Sequence, residues 1–368
     1  MITRDSRPSS GDGGGGPHDG SLDGGGPHDG SLDGGGLDGG GLDGGGSDHG
    51  GVEWRVGAAA EFGELAALVR RCLDRDGGLP LAVEDGFLRS RWLGERTTGI
   101  QARDGGGVLV AAGAVRPGPG GDGAVFGGLV DPAWRGAGLG GQLLDRGLEA
   151  ARGWGGAVVV ETESWSRAAE ELFVSRGLRR IFLEDVMRFD LAADGTVVGA
   201  ATAGSEDPGR PAGNRPAGTG PGEDDRPVGM GLEDWDGAGA ARFFAVYEAA
   251  FRERPGFPGW SAGRWVEETV DEDFRPGWSL LATLPGIGDA GFVTAADGWI
   301  VQVGVVPAAR GRGVGAALIG EALRRMRADG AAEVWLDVNV DNRAGDLYRR
   351  LGFEHRGRRG RYAMDLGS

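Results

Sequence analysis

VVPAARGRGVGAALIGEALRRM, residues 305–326, joins a β-branched strand end to an amphipathic helix through a turn that places Gly311, Gly313 and Gly315 at alternate positions. Glycine accepts positive φ and puts no side chain between main-chain amides and a ligand. The first turn of a helix leaves unpaired N–H groups, and the helix dipole adds partial positive charge to them. The stretch therefore predicts an anion site suited to a pyrophosphate, built on Arg310, Gly311, Arg312, Gly313, Val314 and Gly315. A glycine-rich strand-to-helix turn also serves dinucleotide folds. Here an arginine leads the turn, the spacing is Arg-x-x-Gly-x-Gly, and Val-x-Pro precedes it.

Residues 129–144, LVDPAWRGAGLGGQLL, repeat the pattern with Arg135, Gly136, Gly138 and Gly140. Outward from each turn the same order of signals recurs. Before the first turn, Glu53 to Val56 reads as a strand, Phe62, Leu65, Val69 and Leu73 recur at helical spacing, and Gly107 to Val115 and Gly123 to Val130 read as strands. After it come a helix through Leu139, Leu143, Leu144 and Leu148, a strand from Ala157 to Glu161, a helix over Ala168 to Val174 and an extended piece from Ile181 to Leu191. The second segment shows a helix over Phe243 to Phe251, strands near Ser279 to Leu284, Ala290 to Ala295 and Trp299 to Val306, and the turn. A helix through Val314, Leu318, Leu323 and Met326, a strand from Glu333 to Val340 and a helix around Leu347 and Leu351 follow. The economical reading is a duplicated α+β unit in segments 52–191 and 229–368, joined by a Gly/Pro/Ala/Asp/Glu-rich linker over 192–228.

Residues 1–51 hold GGGPHDGSLD twice and then GGGLD units, with nothing to build a core, and read as a flexible low-complexity arm. Much of the excess in the 78 glycines sits there. The formal charge of −16, of which the first 50 residues carry −7, argues against a chain that wraps nucleic acid or lies on an anionic membrane. All 39 basic residues are arginine, which excludes the lysine of a Walker phosphate loop or a Schiff base. His18, His28 and His49 lie among aspartates but without the spacing of calcium-binding repeats, and no metal is expected. Cys72 falls on an apolar helical stripe with Val69 and Leu73 and reads as a buried structural thiol. No apolar run approaches the roughly 18 residues of a membrane span, and no signal-peptide pattern opens the chain, so a cytoplasmic protein is expected.

VVPAARGRGVG together with the later LYRRLGF resembles the cofactor-binding and C-terminal motifs of the GCN5-related N-acetyltransferases, the GNAT superfamily, and LVDPAWRGAGLGG matches the first of these motifs again. The resemblance covers both segments but not the arm or linker. It implies two tandem domains, each a mixed, mostly antiparallel twisted sheet flanked by helices. It also implies acetyl-CoA as co-substrate and a small-molecule amine as acceptor. Tandem chains with one active half are also found among mycothiol-synthase-like enzymes, a close variant of this expectation. From another class, a non-catalytic acyl-CoA-binding or sensing protein fits the two turns.

In the family the amine attacks the thioester directly, and a tyrosine shortly before the LGF motif usually protonates the leaving thiolate. Tyr348 matches that position, whereas the first segment has Phe173, which cannot donate a proton. Catalysis is therefore expected in the second segment, with the first as a degenerate copy. By the same resemblance the main chain around Val303, Gly304 and Val305 supplies an oxyanion donor, and Asn342, or alternatively Asn339, serves the coenzyme side or caps the following helix. No single base stands out among Gln302, Glu333 and Asp337, and His355 reads as a surface residue. Phe257, Trp260 and Trp265, followed by the acidic run Glu267, Glu268, Asp271, Glu272 and Asp273, are expected near the acceptor side, with a solvated helix end as the plainer alternative. Arg356, Arg358, Arg359 and Arg361 read as exposed charge on a hairpin between the last two strands.

Overall fold

The computed structural model describes residues 51–192, 226–254 and 257–367. The arm, and the linker up to residue 225, lie outside these residues together with the readings made of them. The first repeat runs β1 (Glu53–Val56), α1 (Phe62–Asp76), α2 (Asp85–Trp92), β2 (Thr98–Arg103), β3 (Leu109–Pro117), β4 (Ala124–Val130), α3 (Leu139–Arg152), β5 (Ala157–Thr162), α4 (Arg167–Ser175) and β6 (Arg179–Asp190). The second runs β7 (Gly231–Asp234), α5 (Ala240–Phe251), α6 (Ala262–Thr269), β8 (Leu280–Leu284), β9 (Gly288–Ala296), β10 (Trp299–Val305), α7 (Val314–Ala328), β11 (Glu333–Asn339), α8 (Ala344–Leu351) and β12 (Glu354–Asp365).

All these strands belong to one sheet in the order β1-β2-β3-β4-β5-β12-β6-β11-β10-β9-β8-β7. Only β4 with β5 and β10 with β11 run parallel, so the sheet is mixed and mostly antiparallel. Helices cover both faces. In the first repeat, α1 and α2 close one core around Leu65, Leu68, Val69, Cys72 and Leu88. On the other face α3 and α4 pack Leu143, Leu144 and Phe173 against Phe126, Val158 and Val160. In the second, α5 and α6 bury Phe243, Tyr247 and Trp265 over Phe292, while α7 and α8 bury Leu318, Leu323 and Tyr348 over Leu336 and Val338. Each fully buried side chain of this size contributes about 1.5–3 kcal/mol. Cys72 is buried without a disulfide, and burial pushes its thiol up to about 11, the behaviour expected of a structural thiol.

The two repeats exchange their final strands. β12, from the end of the chain, pairs along Gly360 to Asp365 with β5 of the first repeat. β6, from the end of the first repeat, pairs along Glu184 to Asp190 with β11 of the second. β12 and β6 pair with each other at the centre. The chain crosses close to this seam through Gly77 and Gly78. The Gly78 amide donates to Arg356 O at 2.9 Å and the Leu79 amide to Glu163 O at 2.8 Å. A Cβ on Gly77 would lie 2.0 Å from Arg356 O, and one on Gly357 would lie 2.2 Å from the Gly78 nitrogen. All three glycines have positive φ, so both the conformation and the approach require them.

The last strand corrects the expectation of a basic hairpin. Arg356, Arg358, Arg359 and Arg361 all lie within β12, and Arg359 is buried. Arginine and glycine look like surface to a hydrophobicity pattern, but here carboxylates on and next to the neighbouring strands neutralise Arg358, Arg359 and Arg361, while Arg356 pairs with Glu354 on β12 itself. Two further elements have no clear apolar pattern in the sequence: β2, whose TGIQAR mixes apolar and polar residues, and α2, where Leu88 alone is fully buried.

A chain ending at Phe353 lacks the strand between β5 and β6, and so does a fragment of residues 52–191. Both are expected to lose the cooperative thermal transition of the full chain when followed by circular dichroism. A sharp, reversible melt of 52–191 alone would contradict the shared sheet.

Candidate functional site

β10 and β11 make one parallel pair, Trp299 with Trp335, and then diverge. β4 and β5 stay together from Ala124/Val158 to Gly127/Glu161 before they part. Each divergence opens a wedge in the sheet. β10 also carries an irregularity against β9 between Ile300 and Gln302, whereas β4 pairs with β3 in regular register. Val303 and Val305 lie on the part of β10 that has left β11.

The glycine turns follow at the mouths of the wedges. Gly136 and Gly138 have φ 83° and 83°, and Gly311 and Gly313 have φ 74° and 84°, so the two turns share one conformation. In the second repeat the helical ladder starts with Ala317 N–H to Gly313 O, which leaves the amides of Val314, Gly315 and Ala316 outside it. In the first it starts with Gln142 N–H to Gly138 O, leaving Leu139, Gly140 and Gly141. Access is open: added Cβ atoms at Gly136, Gly138 and Gly311 meet nothing within 4 Å. Unpaired amides, a helix N-terminus and free approach fit a pyrophosphate.

The arginine that leads each turn acts on the protein itself. Arg310 Nε donates to Val305 O at 3.3 Å and its Nη2 to Ala250 O at 3.0 Å, tying the end of β10 to the end of α5. Arg135 Nε donates to Val130 O at 3.1 Å, and its Nη1 pairs with Asp76 at 2.7 Å, tying β4 to the end of α1. Arg312 is exposed at its turn and makes no ion pair among the described residues.

α8 packs beside the second turn: a Cβ on Gly315 would touch Val305 Cγ2 at 3.5 Å and Leu347 Cδ2 at 3.7 Å. Tyr348 on α8 is buried against Phe353. Burial pushes its hydroxyl up to about 12, with Arg254 opposing, so it stays protonated at neutral pH. In the first repeat Leu172 takes the same place beside Gly140, and the Phe173 ring packs tilted against Tyr362 of the exchanged strand, 4.9 Å between centroids. The side-chain oxygens of Asn342 and Asn339 accept from the Ala344 and Asp341 amides at 3.0 and 2.9 Å, so both hold the turn into α8.

On the face covered by α1 and α5, a row of charges crosses the seam. Glu161 is met by Arg91, by Arg116 at 2.6 Å and by Arg361 at 3.0 Å. Glu163 is met by Arg361 at 2.6 Å and Arg359 at 3.3 Å, and Arg359 reaches on to Asp337 at 3.2 Å. Burial alone would raise the Glu163 carboxyl, but Arg359 and Arg361 outweigh it and hold it at about 2. Glu161 and Glu163 also line a cavity of ≈ 40 Å³ in the first wedge, beneath Val69, Leu73, Phe87 and Trp92. The sequence singles out Asp337 and, as exposed charge, Arg359 and Arg361, but not their association with Glu161 and Glu163, because the members of the row come from five separate elements.

The other expected residues scatter. Trp265 is core and donates to Gln302 Oε1 at 3.2 Å, and Phe257 and Trp260 pack around the same aromatic cluster. Glu267, Asp271 and Glu272 are exposed at the end of α6, while Glu268 pairs with Arg264. Glu333 pairs with Arg188 at the far end of β11. His355 is partly exposed beside Asp185 at 3.3 Å. Among the described residues no cluster of His, Cys, Asp and Glu is placed to hold a metal, and no helix is long and apolar enough to cross a membrane.

A profile described as the Acetyltransferase (GNAT) family matches residues 69–178 and 266–353, together more than half of the chain. A mycothiol acetyltransferase from Gordonia bronchialis is 36% identical over 134 residues, which span 34% of this chain and 42% of that protein. One from Kineococcus radiotolerans is 30% identical over 306 residues, covering 78% of this chain and 87% of its own length. The crystal structure of a GCN5-related N-acetyltransferase from Sphaerobacter thermophilus shares the fold, with a TM-score of 0.62 over 86% of this chain and 96% of that one, at 23% identity.

Replacing Arg359 by methionine would leave Glu163 and Asp337 buried without their shared cation. A loss of about 3–5 kcal/mol is expected in urea unfolding at neutral pH. A loss under about 1 kcal/mol would show that the row is not held by this arginine.

Proposed function

This chain is a member of the GNAT acetyltransferase family, and we propose that it moves an acetyl group from acetyl-CoA to the primary amine of a small molecule, using the second repeat. The observation that carries the choice of repeat is one pair of equivalent positions, each next in sequence to the leucine that touches its turn: Tyr348 after Leu347 in the second repeat and Phe173 after Leu172 in the first.

When bound, acetyl-CoA supplies the activated thioester. The amides of Val314, Gly315 and Ala316 hold its pyrophosphate at the N-terminus of α7, and exposed Arg312 adds charge beside them. The Arg310 strap fixes the strand end and the first helix relative to that turn. The main chain of β10 around Val303 and Val305, along the edge that β11 has left, orients the acyl carbonyl, with the Val305 carbonyl itself held by Arg310. The Tyr348 hydroxyl holds a proton for the sulfur that leaves. The first repeat keeps the turn at Gly136, Gly138 and Gly140 but has no such donor, and serves as a non-catalytic copy.

For the acceptor, the names of the relatives favour a mycothiol-type substrate, and the amine of an aminosugar–cysteine conjugate is the first to test. The other reading, a non-catalytic acyl-CoA-binding protein, is separated from this one by turnover. Wild type is expected to release CoA with at least one member of a panel of amino acids, polyamines, aminoglycosides, aminosugar thiols and peptide N-termini. Tyr348→Phe is expected to lower kcat by roughly 10²–10⁴ with CoA affinity kept. No CoA release from wild type with any of these amines would leave only the binding reading.

Calorimetry tests the two turns separately. Gly313→Val should abolish one CoA-binding event together with catalysis, and Gly138→Val the other event without loss of catalysis. A single site in wild type would remove the cofactor role of the first turn.

A further inference from the structure

Asp337 lies on β11 two residues beyond Trp335, where β10 and β11 make their one parallel pair, and so stands at the apex of the second wedge. Its neighbours Leu336 and Val338 enter the core shared with α7, α8 and Tyr348. Alternation along a strand turns Asp337 to the opposite face, with Trp335, Trp299 and the Leu79 segment. At the point where β10 leaves β11, the core that holds Tyr348 therefore lies on one face of the sheet and the Asp337 carboxyl on the other.

The carboxyl is poorly satisfied. Its side chain is 0% exposed, Oδ2 has one long contact with Arg359 at 3.2 Å, and Oδ1 has no hydrogen-bond partner among the described residues. Glu163 Oε2 in the same row also has no hydrogen-bond partner, so Asp337 is set apart by its place where β10 leaves β11 together with its free oxygen. Three charged groups face it: Arg359 from β12, Glu184 from β6 and Glu163 after β5. Leu79, Leu81, Trp299 and Trp335, which cover this part of the sheet, bring no charge. Burial, opposed by Arg359 and reinforced by Glu184 and Glu163, pushes the carboxyl up to about 7. A base poised near the working pH is the most effective kind.

We propose that Asp337 is the proton acceptor for the incoming amine in the second repeat, entered from the α5/α6 side of the wedge while Tyr348 serves the other side. This rests on the acetyl-transfer reading above. Asp337 Oδ1 takes one proton from the substrate ammonium, directly or by way of one water, and so frees the nitrogen lone pair. As the C–N bond forms and the C–S bond breaks, Tyr348 gives its proton to sulfur. The second nitrogen proton returns through solvent to Tyr348, and Asp337 releases its proton to solvent. One proton is released per turnover.

The test uses the full-length protein, its Asp337→Asn and Asp337→Glu variants, and the cysteine amide of glucosamine, or the panel amine that releases most CoA, as acceptor. For wild type, kcat/KM is expected to fall about tenfold per pH unit below about pH 7, because the base must be ionised. Asp337→Asn should lower kcat/KM by roughly 10²–10⁴ and remove that acid limb, with CoA affinity unchanged, and Asp337→Glu should restore part of the rate. An acid limb that survives in Asp337→Asn, or a loss below about threefold, overturns the proposal.

Thermal melts supply a readout independent of activity. A carboxyl whose folded value is raised from 3.8 to about 7 stabilises the fold at low pH, and that contribution is lost as pH rises to about 7. The Tm difference should therefore shift in favour of Asp337→Asn between about pH 4 and 7 and level off above. A flat difference overturns the proposal whatever the activity. A shift without acetylation of any amine by wild type overturns the acetyl-transfer reading, and this role with it, while the titration of Asp337 stands.

Discussion

Arg359 and Arg361 must be neutralised where they stand, in the middle of a sheet, and much of the architecture follows from how that is done. Taking one charge from water into a protein interior costs several kcal/mol unless partners replace the solvent. β12 meets this by lying between β5, which presents Glu161 with Glu163 just beyond it, and β6, which presents Glu184 opposite Arg359. Asp337 on β11 completes the row. The central strands, the approach of Gly77 and Gly78, and the two wedges all meet around that row.

The exchange makes the two halves equal in architecture and unequal in detail. Both have a parallel strand pair that opens, a glycine turn with matching dihedrals, and an arginine strap to the end of the first helix. They part where chemistry is concerned. The first wedge has Gly127 and Gly128 beside a small cavity, while the second has Gln302 held by Trp265 in an aromatic cluster. Phe173 packs on a tyrosine borrowed from the exchanged strand, whereas Tyr348 carries a hydroxyl of its own and packs on Phe353.

Local signals were legible in the sequence to the degree that their physics is local. The apolar spacing in Leu139, Leu143 and Leu144 marked a helix, and the Arg-x-x-Gly-x-Gly runs marked both turns, because helix faces and positive φ are written in neighbouring residues. Tyr348 and Phe173 were distinguishable for the same reason. The pairing of β12 with β5 was not legible, since it joins Asp365 to Ala157 across most of the chain and involves arginines that read as surface. The strap role of Arg310 and Arg135 was hidden as well. Their partners are backbone carbonyls, which have no sequence signature.

The strand between β5 and β6 leaves the ribosome after every other described strand. Until then the first repeat, translated long before, carries an unpaired β5 edge and lacks the Tyr362 ring that completes its core. Open strand edges pair readily with other chains, and contacts of high sequence separation form slowly. For this protein, completion of the first half of the molecule thus waits for synthesis of the second, and its exposure to misassembly in the cell is governed by translation time as well as by final stability.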